Sequence, residues 1–321
     1  MENAAAPRTL MEAVRYFADA DRTLALMVEL RWPEGVHCPT CGRTDVRFLA
    51  TRRLWECKER HPRKQFSAKV GTIFEDSPLP LDKWFVAIWS IANCKNGISS
   101  YELGRAIGIT QKSAWHMLHR IRVAMETESF EKFDRITEVD ETYVGGLAKN
   151  MHASKREAKV SGRGGVDKAA VVGLLQRGDA DNASQVRATM IVDANKKTLQ
   201  AVVRKHVNAG SLVMTDGHSG YRGLDGEYVH QYVDHAAEFV RGIVHSNGIE
   251  NFWSLLKRSI KGTYVSVEPF HLEAYVQEQA FRFNERTDND LGRFQKATRG
   301  VSGKKLTYKE LTGHAISPAA A

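Results

Sequence analysis

Cysteine is scarce in this chain: four residues in 321 cannot make the disulfide framework of a small secreted scaffold. Long apolar runs are missing as well. None approaches the ~20 residues that a membrane-spanning helix needs. The N-terminus holds no compact apolar core followed by a cleavage site, so no secretion signal is expected. There is no internal repeat. Acidic residues are outnumbered, with 38 Asp and Glu against 46 Lys and Arg, a formal charge of +8 and a pI near 9.3. That balance favours a polyanionic partner without proving one. A chain of this length can hold two or three domains with sizeable cores, and a soluble, cytoplasmic protein is expected, with no membrane partner.

What is present changes character along the chain. Leu10, Val14 and Phe17, then Leu24, Met27 and Val28, recur at helical spacing, so residues 1–35 read as an N-terminal helical segment. Residues 36–75 are dominated by cysteines and β-type residues such as Val46, Phe48, Leu54 and Trp55. Helices return over 76–130. From Ile136 the pattern is of strands at Ile136–Val144, Ala169–Gln176, Ala188–Val192 and Ser211–Thr215, with helices near 196–207, 247–261 and 268–286. Residues 131–287 therefore read as an α/β, mixed α+β domain. A loop rich in glycine, Lys and Arg lies between Gly145 and Lys168, and 288–321 reads as a polar, mobile tail.

Cys38-Pro39-Thr40-Cys41 has the spacing of a metal knuckle, and Cys57 with His61 supplies a second pair. A zinc ribbon with Cys38, Cys41, Cys57 and His61 as Zn²⁺ ligands is expected. A ribbon with four cysteine ligands would want cysteine at position 60, where this chain has Arg60; His37 is a weaker substitute for His61. Cys94, beside Ile91 and Ala92, is expected to be a buried core thiol.

Ser99 and Glu102 have capping-box spacing, Gly108 can end a short helix, and Thr110 can cap the next. Ala114, Leu118, Ile121 and Met125 make one apolar stripe on that second helix. The other side offers Gln111, Lys112, Ser113, His116, His119, Arg120 and Arg122. This is a helix-turn-helix-like pattern with a candidate major-groove reader, and Gln111, Lys112, Ser113, His116 and Arg120 are its expected DNA contacts. A pair of core helices with solvated charges is the competing reading. Trp84 and Trp89 are expected in the core.

The chemistry concentrates in three segments. Asp140 lies in a strand flanked by Glu138 and Glu141, and alternation puts it on the face opposite Val139. Asp216-Gly217 ends the apolar run Leu212-Val213-Met214, where loops build active sites. On the third segment Ile249, Phe252, Trp253, Leu256 and Ile260 share one helical face, and Glu250 and Lys257 fall within about 20° of each other on its flank. Three carboxylates so presented can hold two Mg²⁺ (or Mn²⁺) ions for in-line attack on phosphate, and Lys257 can meet a phosphate as a point charge. Glu278 is a rival third acid. His218 and His245 are candidates for positioning water or phosphate. Lys149, Lys155, Arg156, Lys159 and Arg163 in the basic loop, and Arg258 beside Lys257, are candidate phosphate contacts.

The segments Ile136–Gly146 (ITEVDETYVGG), Thr215–Tyr221 (TDGHSGY) and His245–Arg258 (HSNGIENFWSLLKR) resemble the DDE transposases of the IS1595 (ISXO2-like) insertion-sequence family. Gly71-Thr72-Ile73-Phe74 after the cysteine knuckle resembles that family's zinc-ribbon region. The likeness covers roughly residues 10 to 286. It implies a ribonuclease H-like catalytic domain in which Asp140 and Asp216 match the first two acids and Glu250 holds the third position, with Lys257 downstream. Some branches carry asparagine in the third role, which keeps Asn247 and Asn251 in contention. The implied partners are double-stranded DNA, as terminal inverted repeats and as target, and a second copy or more in a synaptic complex, hence an association with the nucleoid. A transposase-derived regulator without catalysis and a structure-selective nuclease of the same fold are the alternatives.

Overall fold

The computed structural model describes residues 6–126, 131–145, 168–233 and 245–313. The chain is a mixed α+β protein in two units, one made of Met1–Glu126 with Asp288–Ala321 and the other of Thr127–Thr287. No helix among the described residues is long and apolar enough to cross a membrane.

The first unit opens on two helices where the periodicity predicts one. Thr9 and Glu12 close a capping box on α1 (Leu10–Phe17). Asp19 then accepts from Asp21 and Arg22 N–H groups to start α2 (Ala20–Arg31), so the chain breaks between them. A three-stranded antiparallel sheet follows, β1 (Val46–Leu49), β2 (Leu54–Cys57) and β3 (Gln65–Phe66), in that order. Helix α3 (Leu81–Asn93) buries Trp84 and Trp89, each 1% exposed, as expected of core residues. Cys94 is a correction. The helix ends at Asn93, and Cys94, as its C-cap, turns outward and is exposed. Helices α4 (Ser100–Ile107) and α5 (Gln111–Met125) carry the caps that the sequence predicts: the Ser99–Glu102 box, Gly108 at φ +64°, and Thr110 accepting from the Ser113 N–H.

The second unit is built on a five-stranded sheet of β4 (Thr137–Val144), β5 (Ala169–Gln176), β6 (Gln185–Ile191), β7 (Leu212–Asp216) and β8 (Val229–Val233). Helix α6 (Lys196–His206) lies between β6 and β7 in the chain, and α7 (Asn247–Ser259) and α8 (Pro269–Asn284) follow β8. The strand order is β6-β5-β4-β7-β8; β6, β5 and β4 pair antiparallel, while β4, β7 and β8 pair parallel. Alternation divides β5 between two cores. Val172 and Leu174 pack with Val139, Val213 and the α6 residues Leu199 and Val203. Val171 and Leu175 pack with Ile249, Phe252, Trp253 and Leu256 of α7 and with Leu272 and Val276 of α8. Both faces are covered, which is why β5 reads as a nearly unbroken apolar run. Strand β6 starts three residues earlier than the predicted Ala188, and β8 was not foreseen: Val229 and Tyr232 are exposed on this edge strand, which lacks a clean apolar alternation.

The chain then returns to the first unit through α9 (Asp290–Arg299) and α10 (Tyr308–Leu311). This overturns the expected polar, mobile tail for residues 290–311. Phe294 is 0% exposed and stacks within 5.1–5.7 Å of Phe17, Phe85 and Trp89. The Lys304 ammonium donates to the Val123 and Glu126 carbonyls at 2.8 Å, capping the C-terminus of α5.

Candidate functional site

The ribbon brings its predicted ligands together. The donor atoms of Cys38, Cys41, Cys57 and His61 all lie within 4.8 Å of one another. Cys41 Sγ is 3.7 Å from Cys57 Sγ, and Cys38 Sγ is 3.5 Å from His61 Nε2. A tetrahedron with Zn–S near 2.3 Å and Zn–N near 2.05 Å has edges of about 3.8 and 3.6 Å, so these donors fit Zn²⁺. His61 Nδ1 sits 2.7 Å from the Pro62 carbonyl. A proton on Nδ1 donated there leaves the Nε2 lone pair facing the sulfurs. Arg60 therefore does not break the site; His61 supplies the fourth donor. His37 packs against Trp32 instead.

The helix-turn-helix-like region matches its expectation only in part. Gln111, Lys112 and Ser113, in the first turn of α5, are exposed. Arg120 is not: it is 6% exposed, donates to the Glu75 carbonyl at 2.5 Å and stands 5.5 Å from the Trp84 ring centroid. His116 is half-buried, with Nε2 3.4 Å from the Leu306 carbonyl and its ring 5.6 Å from Tyr308. His119 and Arg122 are each 1% exposed. Helix α5 is covered by α3, α4, α9 and α10 together, so a side that reads as polar in sequence packs inside the unit. Arg120 is corrected from a DNA contact to a packing residue, while His116 keeps part of its surface exposed. Lys149, Lys155, Arg156, Lys159 and Arg163 lie outside the described residues.

In the second unit, Asp140 and Asp216 are brought together by the sheet. Strands β4 and β7 are central and parallel, with Val139 opposite Thr215, so the next pair in register is Asp140 and Asp216. Burial first, then the charges of Glu141 and Asp216, pushes the Asp140 carboxyl up to about 7 from its ordinary 3.8. An indole opposes that shift: Trp253 Nε1 on α7 donates to Asp140 Oδ2 at 2.9 Å. The ring reaches the strand because Gly173 is opposite Asp140 on β5. A Cβ there would lie 2.6 Å from the indole.

Glu138 faces the same way as Asp140 and is 1% exposed. It accepts from the Ile249 N–H at 2.9 Å, in the first turn of α7, and from Arg177 Nε at 2.6 Å. Arg177 in turn donates to the His245 carbonyl at 2.8 Å. His245 is thus held beside the start of α7, next to an open cleft of about 490 Å³ lined by Arg177, Asn182, Ser184, Gly248 and Arg286. Glu141 points to the other face. Its Oε2 accepts from the buried Tyr221 hydroxyl at 2.7 Å, and its Oε1 is 3.7 Å from His218 Nδ1. Burial raises both the Glu141 carboxyl and the Tyr221 hydroxyl. The His218 N–H donates to Asp216 Oδ1 at 3.0 Å.

The remaining predicted residues sit on α7. Ile249, Phe252, Trp253, Leu256 and Ile260 are all buried, as the stripe predicts. Asn247 and Glu250 are exposed in the first turn, and Glu250 Oε1 accepts from the Ser246 hydroxyl at 2.9 Å. Lys257 is half-buried and Arg258 exposed. Glu250 is not drawn into the Asp140–Asp216 pair. Among the described residues, the cysteine–histidine group is the one set of three or more candidate ligands gathered within 4.8 Å. The rival Glu278 is 0% exposed and ion-paired with Arg282 inside the core. Sequence reasoning passed over Glu141, Tyr221, Arg177 and the polar contact of Trp253. A glycine inside the apolar strand β5 was the one signal that something approaches closely there.

Residues 134–284 match the ISXO2-like transposase domain, and residues 19–61 match the transposase zinc-ribbon domain. An uncharacterized protein of transposable element ISH50 from Halobacterium salinarum is 26% identical over 260 residues, covering 77% of this chain and 85% of that protein. An uncharacterized transposase-like protein of Haemophilus influenzae is 31% identical over 101 residues, 31% of this chain and 81% of that protein. No solved structure matches. With both of its characteristic domains and relatives of this kind, the chain belongs to the IS1595 family of transposases.

Proposed function

We propose that this chain is a DDE-type transposase that binds the terminal inverted repeats of its element, nicks them and joins the freed ends to target DNA. The observation that carries the reading is the pair Asp140–Asp216 on two adjacent parallel strands, one step beyond the Val139–Thr215 pair, with the Asp140 carboxyl raised first by burial and then by the charges of Glu141 and Asp216. A sheet with three antiparallel strands running into three parallel ones, first acid on the central strand, supports a ribonuclease H-like catalytic domain. Carboxylate oxygens are the hard donors that Mg²⁺ and Mn²⁺ take, and negative groups crowded into a half-buried site favour a divalent cation. Asp140 and Asp216 fit such an ion, and Glu250, which stands outside their pair in this structure, would have to join them to complete the set that holds the metal. When bound there, two such ions would activate the attacking oxygen and stabilise the leaving one.

The chain's own residues do the rest. Glu138 and Arg177 fix the start of α7 and so set where Glu250 is presented; Asn247 is in the same turn. Lys257 and Arg258, near the end of that helix, are placed to meet phosphates. The Asp216–His218 turn holds the imidazole beside Glu141. Gln111, Lys112 and Ser113 supply the exposed first turn of a helix-turn-helix reader, and the zinc ribbon of the same unit adds a second docking element. A second copy completes the synapsis of two ends.

The test is Mg²⁺-dependent nicking of a duplex carrying the DNA that flanks the gene. The parent protein should nick and join it. Asp140→Ala and Asp216→Ala should still retard that DNA in a gel and cut none of it. Cutting by either variant would sink the metal assignment, and binding without cutting by the parent would favour a regulator. Cleavage of branched DNA without joining would point to a nuclease.

A further inference from the structure

The strand that carries Asp140 holds the helix that carries Glu250 at two points. Glu138 takes the Ile249 N–H and Asp140 takes the Trp253 indole N–H, each at 2.9 Å. Two residues of strand advance about 6.6 Å and four residues of helix about 6 Å, so the pairs 138/140 and 249/253 lie in step. Both contacts need close approach. A Cβ at Gly248 would stand 2.8 Å from Glu138 Oε2, and one at Gly173 would stand 2.6 Å from the indole. Trp253 is 4% exposed, and in a core otherwise lined by Ile249, Phe252 and Leu256 a phenylalanine would fill most of its space. What only tryptophan supplies there is the donor.

We propose that Trp253 is a positioning residue for Asp140. A carboxylate turns about its terminal bond in a broad, nearly two-fold well. The indole N–H engages Oδ2, holds the group in one orientation and leaves Oδ1 for a divalent cation. Because the same side chain belongs to α7, this contact also fixes the register between the first acid and the helix of the third. The inference rests on the reading of Asp140 as a metal ligand. Losing an outer partner of a metal-binding carboxylate typically costs about 10–100-fold in metal affinity or activity.

The experiment measures Mn²⁺ binding and Mn²⁺-dependent nicking with the full-length, zinc-loaded protein. Trp253→Phe removes the donor and keeps a ring. Site-specific replacement of Trp253 by its benzothienyl analogue keeps the ring's shape and exchanges the N–H for sulfur, so the question survives if the phenylalanine variant fails to fold. Both changes should weaken Mn²⁺ binding by about 10–100-fold, with nicking largely recovered at saturating Mn²⁺. A purely structural role would lower the melting temperature without moving the metal concentration at half-maximal rate, and would overturn the proposal. So would metal affinity within about two-fold of the parent. Asp140→Ala runs alongside: nicking by that variant removes the underlying reading, whereas its inactivity with unchanged Trp253 variants removes only the positioning role.

Discussion

The cysteine–histidine group and the proposed acid site are assembled in opposite ways. The cysteine–histidine group draws all its donors from residues 38–61 and gathers them within 4.8 Å. The acids Asp140, Asp216 and Glu250 are 76 and 34 residues apart; the first two meet only after strands from distant parts of the chain have paired, and Glu250 stands outside their pair. Ligands as close in the chain as the ribbon's can be gathered by a metal as it binds, so that binding and folding of the ribbon are one event. The acid site sets like charges against each other in a half-buried place, at a cost to folding that the core of its own unit must cover. A chain thus spends stability where chemistry is to happen and gains it where only a shape is needed.

The sharpest way to break this contrast is to remove the zinc ligands. Cys57→Ser should release zinc, unfold the ribbon and abolish DNA-end binding, since structural zinc in small domains is worth about 10–16 kcal/mol in apparent terms. The unfolding transition of the acid-bearing unit should stay in place; a joint collapse would show that the two are not independent. Next in size, Asp216→Asn should lower nicking by about 10³-fold or more with zinc content, read by metal analysis, unchanged. Third, Asp140 gives a pH signature. Its carboxyl is raised from 3.8 to about 7 in the folded chain, so the folded state binds that proton more tightly. The stability so contributed is full below pH 4 and is lost as pH rises through about 7. Asp140→Asn should therefore exceed the parent in stability at pH 8, by on the order of 2 kcal/mol, with the gain shrinking towards pH 4. Urea titrations without added divalent cation check this, and a difference independent of pH would refute it. Smallest is Lys257→Ala, expected to cost about 1 kcal/mol, or roughly five-fold in nicking rate. Loss as complete as for the aspartates would give the lysine a direct chemical role.

How much of this could be read in the sequence follows the same division. Caps at Ser99, Gly108 and Thr110, the ligand spacing of the ribbon and the apolar stripe of α7 are local patterns, legible because helix geometry or a short turn fixes each of them within a few residues. Asp140 was legible as an acid within a strand and Asp216 as one at a strand's end. The burial of Arg120 and Arg122 was not, because periodicity within one helix says nothing of how many others will cover it. Nor was α9: a single Phe294 among Arg293, Gln295 and Lys296 looks solvent-facing until Phe17, Phe85 and Trp89 are beside it. Strand β8 hides for the converse reason, having exposed apolar residues at an edge. The Glu138 and Trp253 contacts join elements more than 100 residues apart, at |i−j| of 111 and 113, beyond the reach of any local pattern.

The return of the chain to its first unit has a consequence for synthesis. Phe294 is the last ring added to the aromatic cluster around Phe17, and Lys304 the last group to cap α5. Because these residues follow the acid-bearing unit in the chain, the first unit can be completed only after that unit has been synthesised. A nonsense or frameshift change near the 3′ end of the gene should therefore disable the module encoded at its 5′ end. The last two helices described thus tie completion of the first unit to synthesis of the second.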